Sequence, residues 1–312
     1  MRLGVAAEPA LRELLKALEA AGYAFVTVTP ASHERVARRP AKAVARDLRD
    51  VFGWSLPFPR TLLPDALLAP LERAEAVETR ADGLLHANIR VSRLDDRLFV
   101  HSAYPTEAED AVFFGPDSYR FVDFLRAELP QVGEVRRLVD LGAGAGVGAI
   151  MAGALLPGAR LTLVDVNPAA LRIAGINADH AGLNVELIEG SGIDAVEGAF
   201  DLVIANPPFI VDDKARAYRD GGELFGGQVA LDWARASAAR LASGGAILLY
   251  TGAAIVNGRN LLCDALAEAL PRHGCTLHCR ELDPDIFGEE LDNPAYETVE
   301  RIAAVGIVIE RS

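Results

Sequence analysis

Asn206-Pro207-Pro208-Phe209 closes an apolar run, Phe200 to Ala205, with residues that cannot continue a strand. A residue before proline is pushed out of the helical region, and the two prolines remove two backbone donors. Carbonyl acceptors and one amide remain. Such a corner can hold a planar NH2 group, with the Asn206 side-chain oxygen and the Pro207 carbonyl accepting its two hydrogens and Phe209 offering a face to stack on; the alternative is a plain Asn-Pro turn. An amine held this way presents its nitrogen lone pair to an electrophile.

A second such stretch lies upstream, where Leu138-Val139-Asp140-Leu141 runs into Gly142-Ala143-Gly144-Ala145-Gly146. Glycines after a strand let a ligand approach the backbone at the carboxyl end of a sheet, where a side chain would collide. Leu161-Thr162-Leu163-Val164-Asp165 then ends another apolar run in a carboxylate 19 residues after Gly146, suited to accept hydrogen bonds from both hydroxyls of a ribose. Dinucleotide-binding enzymes share the glycine spacing and the acid. They have no use for Asn-Pro-Pro-Phe.

The elements that carry these residues are legible as alternating strands and helices from Arg137 onward, which argues for a parallel sheet covered on both faces. The patterns predict strands at 137–141, 160–165, 185–189, 200–205, 245–251, 275–281 and 302–309. Helices are expected near 146–156, 168–181, 227–242 and 259–271. Ahead of them, apolar spacing predicts helices over 8–21, 32–39, 41–52 and 64–73, then a hairpin of 84–91 with 97–101 turning at Leu94-Asp95-Asp96-Arg97. An aromatic junction, with Phe113-Phe114-Gly115-Pro116 and Tyr119, separates the two parts.

Together, the glycine turn and Asn206-Pro207-Pro208-Phe209 resemble the class I S-adenosylmethionine-dependent methyltransferases, over roughly Leu138 to Ile309. The resemblance implies a Rossmann-like α/β fold with a seven-stranded sheet whose last strand runs antiparallel between its neighbours. It implies S-adenosylmethionine as cofactor, held by Gly142, Ala143, Gly144 and Gly146, with Asp140 ordering the loop or meeting the ammonium end. Asp165 and Val166 would take the ribose side, and Gly190, Ser191 and Gly192 the adenine, with Ser191 where many relatives carry Asp. Phe114 and Tyr119 are candidates for a lid over the cofactor or for ordinary interdomain packing, and Asn206 borders both cofactor and acceptor. The N-terminal helices and hairpin resemble an α+β winged-helix module, a fold that does not by itself decide between nucleic acid and protein. The expected domains are 1–103, accessory and substrate-recognising; 104–130, junction and lid; and 131–312, methyltransferase.

For the acceptor, Asn206-Pro207-Pro208-Phe209-Ile210 with Gly221-Gly222 and Leu224 is similar to the release-factor glutamine methyltransferases of the PrmC/HemK family. This implies a glutamine-containing protein acceptor, with Asn206, Pro207, Pro208 and Phe209 catalytic. RsmC-type ribosomal RNA methyltransferases also use Asn-Pro-Pro-Phe, so a base amine in structured RNA is the alternative, and a cofactor-sensing winged-helix regulator a third. The segment 218–223 is expected either to cover the acceptor, with Arg219 or Asp220 reaching it, or to be a plain connection.

Charge bears on the same choice. The net charge of −13 belongs to the second part: residues 1–115 carry 15 basic against 16 acidic residues, residues 116–312 carry 16 against 28. A phosphate-binding surface there is disfavoured. The first part has one basic cluster, Arg35, Arg38, Arg39, Lys42, Arg46 and Arg49. No signal peptide or membrane span is recognisable, so a cytoplasmic location without a membrane partner is expected. Cys263, Cys275 and Cys279 are expected to be reduced thiols. His273 and His278 are not expected to join them in a metal site, because His278 would face away from both neighbouring cysteines on a strand. The acids at 283–290 are expected to form a solvated loop.

Overall fold

The computed structural model describes residues 7–106, 108–212 and 219–312. They form two compact units that interleave along the chain. The first comprises the chain up to Arg120 together with 144–150 and 168–184; the second comprises 121–143, 151–167 and 185–312.

In the first unit, helix α1 (Ala7–Ala20) buries Leu11, Leu14, Leu15 and Leu18 and ends before Gly22. Helix α2 (Pro30–Ala37) starts at Thr29, whose Oγ1 accepts from the Ser32 amide. The single helix expected over 41–52 is broken: only α3 (Leu48–Phe52) is α-helical. Asp47 is the reason. Its carboxylate caps the Asp50 amide and so starts the helix at Leu48. Buried Asp50 meanwhile binds Lys42 Nζ and the Arg46 amide. Helix α4 (Asp65–Arg73) follows.

Two ribbons come next, not one hairpin. Strand β1 (Val77–Thr79) pairs with β2 (Leu85–Ala87), and β3 (Ile89–Leu94) pairs with β4 (Arg97–Ser102). The run expected as one strand over 84–91 divides because its first half pairs backward and its second half forward, with the Asn88 amide bonded to the Ala76 carbonyl between them. The turn at Asp95-Asp96 is where the pattern placed it.

This unit has a polar interior. Arg90 on β3 is 4% exposed, and burial pulls it down to about 10. Its Nη1 donates to His33 Nδ1 at 3.3 Å, so His33 is neutral with its proton on Nε2, which donates to the Trp54 carbonyl at 3.0 Å. His101 is wholly buried, 2.7 Å from Ser92 Oγ and stacked on Phe114.

The second unit holds the sheet. Helix α5 (Pro116–Glu128) enters it; then β5 (Arg137–Leu141), α6 (Val147–Leu155), β6 (Arg160–Asp165), α7 (Pro168–His180), β7 (Val185–Glu189), β8 (Phe200–Ala205), α8 (Gln228–Ala238), β9 (Leu241–Val256), β10 (Arg259–Asn260), α9 (Leu261–Ala269), β11 (Cys275–Asp283) and β12 (Arg301–Arg311) follow. Strand order is β11-β12-β9-β8-β5-β6-β7. The middle strands are parallel, and β12 lies antiparallel between β11 and β9, as expected. The two-residue β10, added at the end of β9, was not expected. Residues 144–150 and all of α7 belong instead to the first unit.

The cysteine expectation is corrected. Cys263 on α9 and Cys279 on β11 form a disulfide with Cα atoms 6.4 Å apart, while Cys275 is free and buried. Helix α9 packs on β11, which brings together two residues whose sequence spacing does not announce a pair. Cys275, Leu277 and Cys279 do share the more buried face of β11, with His278 exposed on the other.

Candidate active site

The sheet sets the site by register. Leu141, Val164 and Ala205 lie level at the ends of β5, β6 and β8, and Asp165 pairs with Glu189 one step further. Three strand ends therefore open onto one edge, the place where parallel sheets bind ligands. Asp140, one residue inside that edge, is buried.

The turn after β5 folds over the end of β6: the amides of Gly142 and Ala143 both reach the Val164 carbonyl, at 2.9 and 3.1 Å. Gly142 has φ +67°, and a Cβ there would stand 2.8 Å from the Trp233 ring. Glycine is required on both counts. The turn enters the first unit at Gly144, where a Cβ on Gly146 (φ +79°) would lie 3.1 Å from the Ala174 methyl. Within that unit Asn177 on α7 holds the turn: its Nδ2 donates to the carbonyls of Ala145 (2.9 Å) and Val100 (3.0 Å), and its Oδ1 accepts from the Val100 amide.

At the end of β6, Asp165 Oδ1 accepts the Asn167 amide at 2.9 Å, fixing the carboxylate at the rim. Val166 beside it is an apolar side chain that is 45% exposed. The Gly190 amide bonds the Asp165 carbonyl, so the loop after β7 is tied to the end of β6. Ser191 uses its carbonyl to accept the Trp233 indole N–H at 2.9 Å. These residues fit an adenosine: close backbone approach, a positioned acid for the ribose, and apolar surface for the base.

Phe114 and Tyr119 sit in the first unit. Phe114 is buried against Phe99 and His101, and the Tyr119 hydroxyl donates to the Arg93 carbonyl and accepts from the Thr27 amide. All of these partners lie within the first unit.

Asn206 leaves β8 partly exposed, while Phe209 is 9% exposed, its ring edge-on to Phe287 at 5.6 Å. The backbone at Phe209 is gripped by glycines. A Cβ at Gly226 would lie 2.3 Å from the Phe209 carbonyl oxygen, and one at Gly221 2.8 Å from its Cα. Ile210 then exchanges bonds with the Arg219 carbonyl and the Gly221 amide, and the Val211 amide donates to the buried Tyr296 hydroxyl at 2.8 Å. Burial pushes that phenol up.

Of the segment 218–223, Tyr218 lies outside the described residues. Arg219 binds Glu290 and stands 3.5 Å from Asp212; Asp220 accepts the Gly222 amide. The expectation of a solvated acidic loop is corrected at Glu290, only 15% exposed on its side chain and paired with Arg219. Sequence reasoning missed Trp233, Asn177, Phe287 and Tyr296. None lies in a motif, and only the packing of distant segments brings them to the strand ends.

Comparison with known proteins agrees with this geometry. Residues 122–254 match the methyltransferase small domain. The release factor glutamine methyltransferase of Deinococcus radiodurans is 35% identical over 185 residues, covering 56% of this chain and 63% of that protein. The ribosomal protein uL3 glutamine methyltransferase of Neisseria gonorrhoeae is 30% identical over 158 residues, 47% of this chain and 53% of that one. Ribosomal RNA small subunit methyltransferase C of Ectopseudomonas mendocina is 35% identical over 100 residues, 28% of this chain and 30% of that one. The chain thus spans less than two thirds of the length of each. Among solved structures, Trm5b of Pyrococcus abyssi superposes with a TM-score of 0.50 at 16% identity, over 78% of this chain and 66% of that one, a likeness of fold alone. Strand order and glycine turn agree with the match of residues 122–254 to the methyltransferase small domain.

Proposed function

We propose that this chain methylates the planar amide nitrogen of a protein glutamine. Donor-poor Asn206-Pro207 at the end of β8 supports an NH2 acceptor: the Asn206 Oδ1 and the Pro207 carbonyl accept its two hydrogens and aim the lone pair. S-adenosylmethionine supplies an electrophilic methyl on sulfonium. The N–C bond forms as the S–C bond breaks, S-adenosylhomocysteine leaves, and the nitrogen gives its proton to solvent. Positioning and exclusion of water carry most of the rate. Gly221 and Gly226, packed on the Phe209 backbone, hold the corner rigid.

The observation that favours protein over RNA is the connection between β11 and β12, which delivers Phe287 to Phe209. Between residues 281 and 292 it carries Glu281, Asp283, Asp285, Glu289, Glu290 and Asp292 and no basic residue. Glu281 pairs with Arg301 and Glu290 with Arg219, and the remaining excess of acids disfavours phosphates there. The relatives named as glutamine methyltransferases support the same reading.

An RNA base amine is the second reading, favoured by the first unit. There Glu34 pairs with Arg38, Asp50 with Lys42, and Asp47 caps α3, which leaves exposed Arg35, Arg39, Arg46 and Arg49 without an acid among the described residues of that segment. The test is transfer of labelled methyl into cell extract split into nuclease-treated and protease-treated halves, with Asn206→Ala as control. Label that survives nuclease and not protease supports glutamine; label lost to nuclease overturns it in favour of RNA.

A further inference from the structure

The indole of Trp233 spans two loops. From α8 its Nε1–H reaches the Ser191 carbonyl after β7, at 2.9 Å. Its far edge, Cη2, stands 2.8 Å from where a Cβ of Gly142 would be, in the turn after β5. A Cβ on Gly192 would meet Nε1 at 3.4 Å. Both loops carry glycine where they face the ring. The side chain is only partly buried although it belongs to a helix that packs on the sheet.

We propose that Trp233 forms the aromatic wall of the adenine subsite. Adenine is a flat π-system, and an indole face held at a fixed angle binds it without requiring a matched donor or acceptor. Ser191 offers the exocyclic amine only a hydroxyl, a weaker acceptor than a carboxylate. Stacking on Trp233 supplies affinity that edge recognition lacks. The hydrogen bond to Ser191 sets the ring angle and couples it to the loop, whose Gly190 amide is bound to the Asp165 carbonyl. Adenine wall and ribose acid are thereby one connected unit.

The inference rests on the chain binding S-adenosylmethionine, and the experiment separates the two. The chain has two tryptophans, so Trp54→Phe leaves Trp233 as the single indole fluorophore. S-adenosylhomocysteine is titrated into this variant while emission and heat are recorded. Saturable quenching with the calorimetric Kd is expected. In the otherwise native chain, Trp233→Ala should weaken S-adenosylhomocysteine and adenosine alike by about tenfold or more, and Trp233→Phe by much less. Heat of binding with unchanged emission, or Trp233→Ala binding within about twofold of native, overturns the wall while leaving the methyltransferase intact. No heat at all overturns both. Should Trp233→Ala fail to fold, the Trp54→Phe titration decides alone.

Discussion

Gly252 on β9 faces the ring of Phe209: a Cβ there would stand 2.3 Å from the ring's Cδ2. Phe209 is therefore placed by the absence of a side chain on the neighbouring strand. Gly252→Ala must displace the ring or the strand, at an overpacking cost of about 1–3 kcal/mol. The expected outcome is slower methyl transfer with S-adenosylhomocysteine affinity nearly unchanged, read by steady-state rates beside calorimetry. Unchanged transfer would show that the position of Phe209 is immaterial.

On the proposed reading, Asn206→Ala removes one of the two acceptors for the NH2 group, and it leaves the sheet untouched. Transfer should fall by about 100-fold or more, the usual scale for one oriented polar group at a reacting centre, with the melting temperature preserved. Single-turnover transfer to the mapped acceptor measures it, and a normal rate removes Asn206 from the chemistry.

Asn177→Leu leaves the Val100 amide, the Val100 carbonyl and the Ala145 carbonyl without their side-chain partner in a buried place. Each orphaned group costs about 1–3 kcal/mol before relaxation, so the urea midpoint should drop sharply. Cofactor affinity should fall too, because Ala145 lies inside the glycine turn. Titration at low urea, where the variant is still folded, separates the two effects.

His33 is held at about 4 and His101 well below its ordinary 6.5, in both cases first by burial and then by Arg90. Unfolded, each takes up a proton near 6.5; folded, each resists it. The contribution of His33 to stability is complete above pH 6.5 and is lost as the pH falls toward 4, and that of His101 is likewise lost as the pH falls below 6.5. The slope reaches about 1.4 kcal/mol per pH unit for each histidine. Urea unfolding from pH 6.5 downward should show the decline, and His33→Gln, which cannot titrate, should lose its share of it. A flat midpoint over that range would contradict neutral, buried imidazoles.

The strands from Arg137 onward and the helices between them were legible because a strand buried on both faces reads as a short apolar run, and the turns that end them carry Gly, Asp or Asn-Pro. The reading failed where local signals compete. Apolar spacing over 41–52 predicted one helix, and the Asp47 cap restarted it at Leu48. Residues 84–91 alternate like one strand, but hydrogen bonds to two different partners divide them. Cys263 and Cys279 became a pair because α9 packs on β11, a contact that no spacing encodes.

By itself, the sequence determined which residue types stand at the strand ends: glycines after β5, the carboxylate of Asp165 ending β6, and Asn206 before two prolines after β8. Backbone conformation and hydrogen-bonding capacity are properties of a residue and its immediate neighbours, so they survive in one dimension. Only the tertiary structure decided which distant side chains surround them. Trp233, Phe287, Tyr296 and Asn177 act through contacts across 42, 78, 85 and 77 residues respectively. Such contacts exist only once the sheet has ordered its strands, because packing is a property of positions in space and not along the chain.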